Sequence, residues 1–449
     1  MMRHIQLFFA ICLLQMLCAE EIEVALPTRS SLVPMYIARF HVDQKEHDWR
    51  FFDELRSVLA FDLENNGVSS VLAIRGEWEE TFGWPDPRVA FPIATWRSSP
   101  APYVIAVDAS RGKLEPYVFD IAQGTSKKYP EIPLKPRLEE NREALHRLAD
   151  MIQWDLFQKE GVASLKILYA ARQRSENGWS SEIWVADSDG ANAKPIVSEK
   201  GYCMSPCFFP WGRDFFFVSY ETGQSKIYRA SLGQSKKELL IDMRGSQALP
   251  AINQQGNALA FISDVAGRPD LFIQLFDEKG KPLGKARQVY SAPRATQASP
   301  TFSPDGKKIA FVSDKDGPPR IYLLDVPGPK STKRPHPQLL TKANRENTSP
   351  AWSLDGTKIA YSAKTDGVRQ IWIYDTATGQ EWQLTSSPEN KENPMWAPDN
   401  LHLVYNTESD DICDLYRINL NQREPLLISK GVGQKRFPCW QPKNPFAIK

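Results

Sequence analysis

The pattern of apolar positions changes character once along the chain. In its first third, helical stripes stand among strand-like runs. Asp48 to Asn65 carries Phe51, Phe52, Leu55, Val58, Leu59 and Leu63 on one helical face and stops at Asn66-Gly67, a pair suited to a left-handed helix end. Arg137 to Lys159 repeats this with Leu138, Leu145, Leu148, Ile152 and Leu156, and Gly161 is read as its stop. Tyr103 to Val107 and Pro116 to Ile121 read as strands on either side of Arg111-Gly112. Mixed helices and strands predict a small α/β domain over 20–162.

From about residue 165 the pattern is short strands only, and it repeats. One unit runs Ser299-Pro-Thr-Phe-Ser-Pro-Asp-Gly-Lys-Lys-Ile-Ala-Phe, then Arg320-Ile-Tyr-Leu-Leu; the next runs Ser349-Pro-Ala-Trp-Ser-Leu-Asp-Gly-Thr-Lys-Ile-Ala-Tyr, then Gln370-Ile-Trp-Ile-Tyr. The frame recurs around leading prolines Pro206, Pro250, Pro300, Pro350, Pro394 and Pro438. Pro is expected to begin a first strand, where no interior ladder donor is lost. Asp-Gly makes the tight turn into a second strand, and the Ile-Ala-Phe run suits a strand buried on both faces. Four strands in such a period make one propeller blade. The last unit, Arg436 to Pro442, supplies only a first strand, while Lys166 to Tyr169, Glu182 to Val185 and Lys194 to Val197 supply only the other three. The two ends therefore complete one shared blade. The expected fold is mainly β: a six-bladed β-propeller over 163–449 behind the α/β domain. Asp277 to Arg287 and Pro327 to Pro337 lengthen two units and read as solvated loops.

The first residues change the expected location. Arg3, an apolar run from Ile5 to Leu17 and small Ala19 before Glu20-Glu21 read as a signal peptide over 1–19. A lipid anchor at Cys18 is set aside, because Gln15-Met16-Leu17 lacks the small residue needed beside it. The mature chain is expected in solution outside the cytoplasm. It would keep Cys203, Cys207, Cys413 and Cys439, read as free buried thiols; a Cys207–Cys439 disulfide is the alternative, since both follow a leading Pro in blades that closure makes neighbours. Lys plus Arg number 55 against 54 Asp plus Glu, which gives no field toward nucleic acid or an acidic membrane.

Catalytic signatures are missing from the sequence. There is no Gly-x-Ser-x-Gly, no phosphate-binding glycine loop and no His-Glu-x-x-His, and the six histidines never recur at one blade position. His146, on the second helix, reads as solvated or half-buried. Asp187-Ser-Asp189-Gly190 and Asp314-Lys-Asp316-Gly317 begin like calcium loops but have Ser198 and Asp325 where the closing Glu belongs, so they read as turns. No cofactor or metal is expected. The first reading is a protein-binding module, not an enzyme. The alternatives are a propeller enzyme (a lyase, or a peptidase-associated propeller) and a small-molecule binder in the channel.

The repeat, together with Leu59-Ala-Phe-Asp-Leu-Glu-Asn-Asn-Gly67, His146-Arg-Leu-Ala-Asp150, Ile183-Trp-Val-Ala-Asp-Ser-Asp-Gly190 and Phe437-Pro-Cys-Trp440, resembles the TolB family. The resemblance implies a periplasmic part of the Tol-Pal system, itself monomeric and held to membranes only through partners. Those partners are a Pal-type peptidoglycan-associated lipoprotein and TolA, in support of outer-membrane integrity and cell division. It also implies TolA contact at the mature N-terminus, Glu20, Glu21, Ile22, Glu23 and Val24, although Thr28 to Pro34 stands where the family has a glycine-rich stretch. The Pal site is expected at the propeller mouth. There the residues three before each leading Pro, Cys203 in the first blade, form with their neighbours a polar ring rich in amides and cations: Arg244, Ser246, Gln247, Arg294, Gln297, Arg345, Asn347, Lys391, Lys435 and Arg436.

Overall fold

A computed structural model describes residues 32–42, 49–81, 91–175, 178–199, 201–234, 236–328, 335–422 and 424–443. The signal segment and Glu20 to Val24 lie outside the described residues.

The first part is a sheet covered on both faces. β1 (Val33–Ile37) lies parallel to both β2 (Ser69–Val71) and β3 (Tyr103–Asp108), and β3 continues antiparallel into β4 (Lys113–Asp120) and β5 (Thr125–Lys128). Alternation along β1 sends Met35 and Ile37 to one core and Tyr36 to another. The first core is completed by α1 (Trp49–Glu64) and a long helix, Leu138–Phe157, through Leu55, Leu59, Leu145, Leu148 and Ile152. In the second, Tyr36 meets Trp96, Val104 and Phe119, with two one-turn helices, Gly76–Glu79 and Ile93–Trp96, alongside. The long helix ends earlier than expected. Gln158, at φ 53°, forms its left-handed cap. Gly161 is needed for another reason: a Cβ there would stand 2.1 Å from Asp150 Oδ1. Asp150 accepts the N–H groups of Ala163 and Ser164, at 2.9 and 3.0 Å, where the chain enters the propeller.

The rest is a six-bladed β-propeller of four-stranded antiparallel sheets. Five blades are continuous: 203–239, 247–290, 297–339, 347–383 and 390–427. The sixth joins Gln434–Trp440 to Lys166–Ser175, Gly178–Asp187 and Lys194–Glu199. Cys439 faces Leu168 and Trp440 faces Ile167 in that ladder. Second strands are buried throughout, as with Ile309, Ala310 and Phe311, because blades pack on both of their faces.

Two strand expectations are corrected. Asp277 to Arg287 is no loop: Pro282–Tyr290 is a long fourth strand paired with Asp270–Phe276, turned by Asp277, whose Oδ1 accepts the N–H groups of Lys279 and Lys281. Arg287 reaches across to the carbonyls of Pro327 and Gly328; residues 329–334 of the second insertion lie outside the described residues. Nor does Pro begin a first strand. It lies inside each one, as Pro300 does in Gln297–Phe302.

The C-terminal end of α1 is seated on the propeller. The Asn65 carbonyl accepts from His402 Nε2 at 2.9 Å and Arg417 Nη2 at 2.6 Å, while the carbonyls of Glu64 and Gly67 accept from Gln422 and Asn421. A cation at a helix C-terminus offsets the partial negative charge there. Gly67, at φ 76°, also leaves room for Leu401. Beside this contact, His146 is enclosed, not solvated or half-buried as the sequence implied. Its Nδ1 lies 2.6 Å from Asp62 and its Nε2 3.7 Å from Asp187. Asp187 also meets Lys166 at 2.6 Å and Arg142 at 3.5 Å, and Arg142 pairs with Asp189. The Asp187 to Gly190 stretch is thus a turn, closed by Gly190 N–H on the Asp187 carbonyl, whose carboxylates bind the long helix. His146, Asp187 and Asp189 converge as a metal trio does, but Arg142 and Lys166 already supply the positive charge.

Two outcomes follow. A chain cut before Arg436 loses buried Cys439 and Trp440 and exposes a sheet edge; its Tm in calorimetry is expected to fall by roughly 10 °C or more. An unchanged Tm would refute closure as the stabilising element. Although burial works against it, contact with Asp187 and Asp62 raises the His146 pKa from 6.5 to about 9. The stability from its charged form is full below pH 6.5 and is lost as pH rises through about 9. Melting between pH 7 and 9.5 should show a loss of roughly 2–3 kcal/mol that is much smaller in His146→Gln.

Candidate functional site

Each first strand is broken at one place. The residue before the leading Pro is left-handed in all six blades: Ser205, Leu249, Ser299, Ser349, Asn393 and Phe437 have φ between 43° and 56°. Pairing skips there. Met204 faces Val218 and Cys207 faces Phe216, so Ser205 and Pro206 together stand opposite the single residue Phe217, and the same two-against-one shift recurs around the ring. Such a conformation costs a non-glycine residue about 1–2 kcal/mol. Pro fits the bulge because it has no N–H to withdraw from the ladder. The six prolines and their neighbours surround a cavity of about 180 Å³.

The expected ring of partner-binding residues divides in two. Gln247, Gln297, Asn347, Lys391 and Lys435 are buried, a correction to their reading as available mouth groups. Their donors are spent on the loop just before them. Gln247 Nε2 reaches the carbonyls of Met243 and Gly245 at 2.9 and 2.7 Å, and Asn347 Nδ2 reaches Asn344 at 2.9 Å. Lys391 Nζ meets the carbonyls of Ser387 and Glu389 at 2.7 and 2.5 Å, and Lys435 Nζ meets the Gly431 carbonyl and, at 3.1 Å, Asp414. Gln297 Nε2 is 3.4 Å from the Ala295 carbonyl. Loop carbonyls turned inward need donors, and these side chains provide them. Burial lowers the Lys391 pKa accordingly. Arg244, Arg294 and Arg345 are exposed at the loop tips; Ser246 and Arg436 are half-buried.

Two groups on this face go beyond the expected ring; of their residues only Arg436 was foreseen. One is ionic: Glu392 meets Arg369 at 3.2 Å and accepts from Thr348 and Ser349 at 3.1 and 3.0 Å, while Arg436 pairs with Glu408 and lies 3.3 Å from the Ser409 carbonyl. Burial raises both carboxyls, with the nearby arginines opposing it. The other is aromatic. The Arg172 guanidinium lies 4.1 Å from the Trp179 ring centre and 5.2 Å from that of Tyr202, and Tyr202 lies 5.9 Å from Tyr220. Trp179 is 45% exposed and Tyr220 38%. Ile412 and Val432, also exposed, stand on the adjoining loops. The available signal was an aromatic in a tip where turn chemistry calls for small polar residues.

A family model described as "TolB beta propeller domain" matches residues 155–444. The chain belongs to the TolB β-propeller family. It is 43% identical over 285 residues to a protein named "Protein TolB homolog" from Protochlamydia amoebophila, covering 62% of this chain and 61% of the relative. To the namesake from Chlamydia felis it is 33% identical over 280 residues, covering 61% and 60%. The match thus spans about three fifths of these relatives' length. The crystal structure of TolB from Acinetobacter baumannii superposes with a TM-score of 0.72 over 92% of this chain and 98% of that one, at 22% identity, a likeness of fold.

Within this TolB-family propeller, base and tip of one mouth loop separate by stability. Gln247→Ala should lose roughly 1–3 kcal/mol in denaturant unfolding, by stranding loop carbonyls, and Arg244→Ala less than about 0.5. Equal effects would contradict the division of the ring.

Proposed function

We propose that this chain is a periplasmic, non-catalytic scaffold of the Tol-Pal system. Its mouth face holds a Pal-type peptidoglycan-associated lipoprotein, and through that contact it serves outer-membrane integrity and cell division. The observation that carries this reading is the Arg172, Trp179, Tyr202 and Tyr220 cluster beside the Arg436–Glu408 pair. Half-exposed Trp, Tyr and Arg are the residues that dominate binding energy at protein interfaces, and ion pairs around them set register. Membership of the TolB family supports the same assignment. The cavity volume, about 180 Å³, is below the roughly 300–1,000 Å³ of drug-sized ligand sites, which favours a side chain of a partner over a free small molecule. Among the described residues no helix is long and apolar enough to cross a membrane. TolA contact is assigned to Glu20 to Val24, outside the described residues.

Calorimetric titration with the soluble domain of a Pal-type lipoprotein tests the proposal. Trp179→Ala with Tyr220→Ala should weaken binding at least about tenfold with circular dichroism unchanged, while Arg244→Ala, Arg294→Ala and Arg345→Ala together should weaken it less. If the arginine variant loses affinity and the aromatic one does not, the loop tips carry the interface. Absence of binding by the unaltered chain would reject the partner.

A further inference from the structure

Cys207 and Cys439 occupy one repeat position, the residue after the leading Pro; the other blades hold Ala251, Thr301, Ala351 and Met395 there. Ring closure makes their strands neighbours. Their Sγ atoms lie 3.2 Å apart, and both residues line the channel. The other two thiols among the described residues have different surroundings: Cys203 Sγ lies 3.4 Å from Ser181 Oγ, and Cys413 Sγ lies 3.3 Å from the Ser409 carbonyl. All four are thiols in the structure.

We propose that Cys207 and Cys439 are an oxidisable pair whose disulfide locks the propeller shut. An S–S bond of about 2.05 Å requires the sulfurs to approach by roughly 1 Å more. Both thiols give up a proton and, together, two electrons. The oxidant is a disulfide such as glutathione disulfide, whose own S–S bond is cleaved as it takes up the electrons and protons to become two thiols. The new bond joins residues 232 apart and encloses nearly the whole propeller in one covalent loop. It also acts in a direction hydrogen bonding does not. The closing strand already pairs with Lys166–Ser175 inside its own blade; the disulfide would tie it to the next blade. The contact with the Cys439 sulfur, and burial, push the Cys207 thiol well above its ordinary range. Thiolate attack is therefore slow once the ring is closed, so the bond forms while the seam is still open and is then slow to reduce. The inference rests on the two sulfurs and is independent of what the mouth binds.

The full chain refolded with a glutathione and glutathione-disulfide mixture, alkylated, and digested without reductant provides the test. Mass spectrometry should find the Cys207 peptide joined to the Cys439 peptide, two hydrogens lighter than their sum, with Cys203 and Cys413 alkylated. The oxidised sample should melt roughly 5–10 °C above the same sample in reductant. That difference should vanish in Cys207→Ala with Cys439→Ala, a residue two other blades already carry at this position. Alkylated Cys207 and Cys439 after oxidative refolding, or a link from either to any other cysteine (Cys12, Cys18, Cys203 or Cys413), overturns the proposal. A linked peptide with unchanged melting overturns the locking role. The peptide readout uses the unaltered sequence and stands even if the variant does not fold.

Discussion

The structure depends on one ladder, between Gln434–Trp440 and Lys166–Ser175. Without it Lys166–Ser175 would have an unpaired edge and the sixth blade only three strands; with it the two ends of the propeller are held in one blade and the row of blades becomes a ring. The collar of prolines and the mouth exist only after it forms. Its pairing reaches across the whole propeller, as in the Lys166 N–H to Gln441 Oε1 bond, whose residues are 275 apart. Contacts of such separation reward the chain only after the loop entropy has been spent, so closure is expected to come late in folding.

A second constraint fixes the α/β part to the ring. The last carbonyls of α1 find their donors on the fifth blade, Arg142 finds its carboxylates on the sixth, and His146 bridges Asp62 of α1 to Asp187 of the sixth. Removing one partner of such a buried pair leaves a charge in low dielectric, which is far costlier than losing a surface ion pair. The fold of each part is therefore tied to the presence of the other.

The repeat made the propeller legible because each blade solves the same burial problem with the same residues. The shared blade was legible for the same reason, since the two chain ends supplied complementary fragments of one unit. What escaped were features the repeat does not encode. Asp62 and His146 are 84 residues apart, and nothing local to either announces the other. Asp187 and Asp189 showed their turn chemistry, not their second use as ion-pair partners. The left-handed residue before each Pro is Ser, Leu, Asn or Phe, so no residue type marks the bulge. The mouth ring was misread in part because polarity does not tell a surface group from a buried donor whose acceptor is a main-chain carbonyl. Only the blade position of Gln247, Gln297 and Asn347, at the foot of a loop, distinguishes the two. Trp179 was overlooked because it lies at the hairpin end of Gly178–Asp187, beyond the Glu182 to Val185 run on which the repeat was aligned.

That division between foot and tip bears on how such a surface diversifies. A buried amide or ammonium pins the base of a mouth loop in five of the six blades, while Arg244, Arg294 and Arg345 stand free above theirs. Replacements at the tips leave the donors below them untouched, and surface substitutions of that kind are close to neutral for stability. Lineages can therefore drift in what the mouth recognises while inheriting an unchanged ring, and recognition and foldability become separately heritable traits.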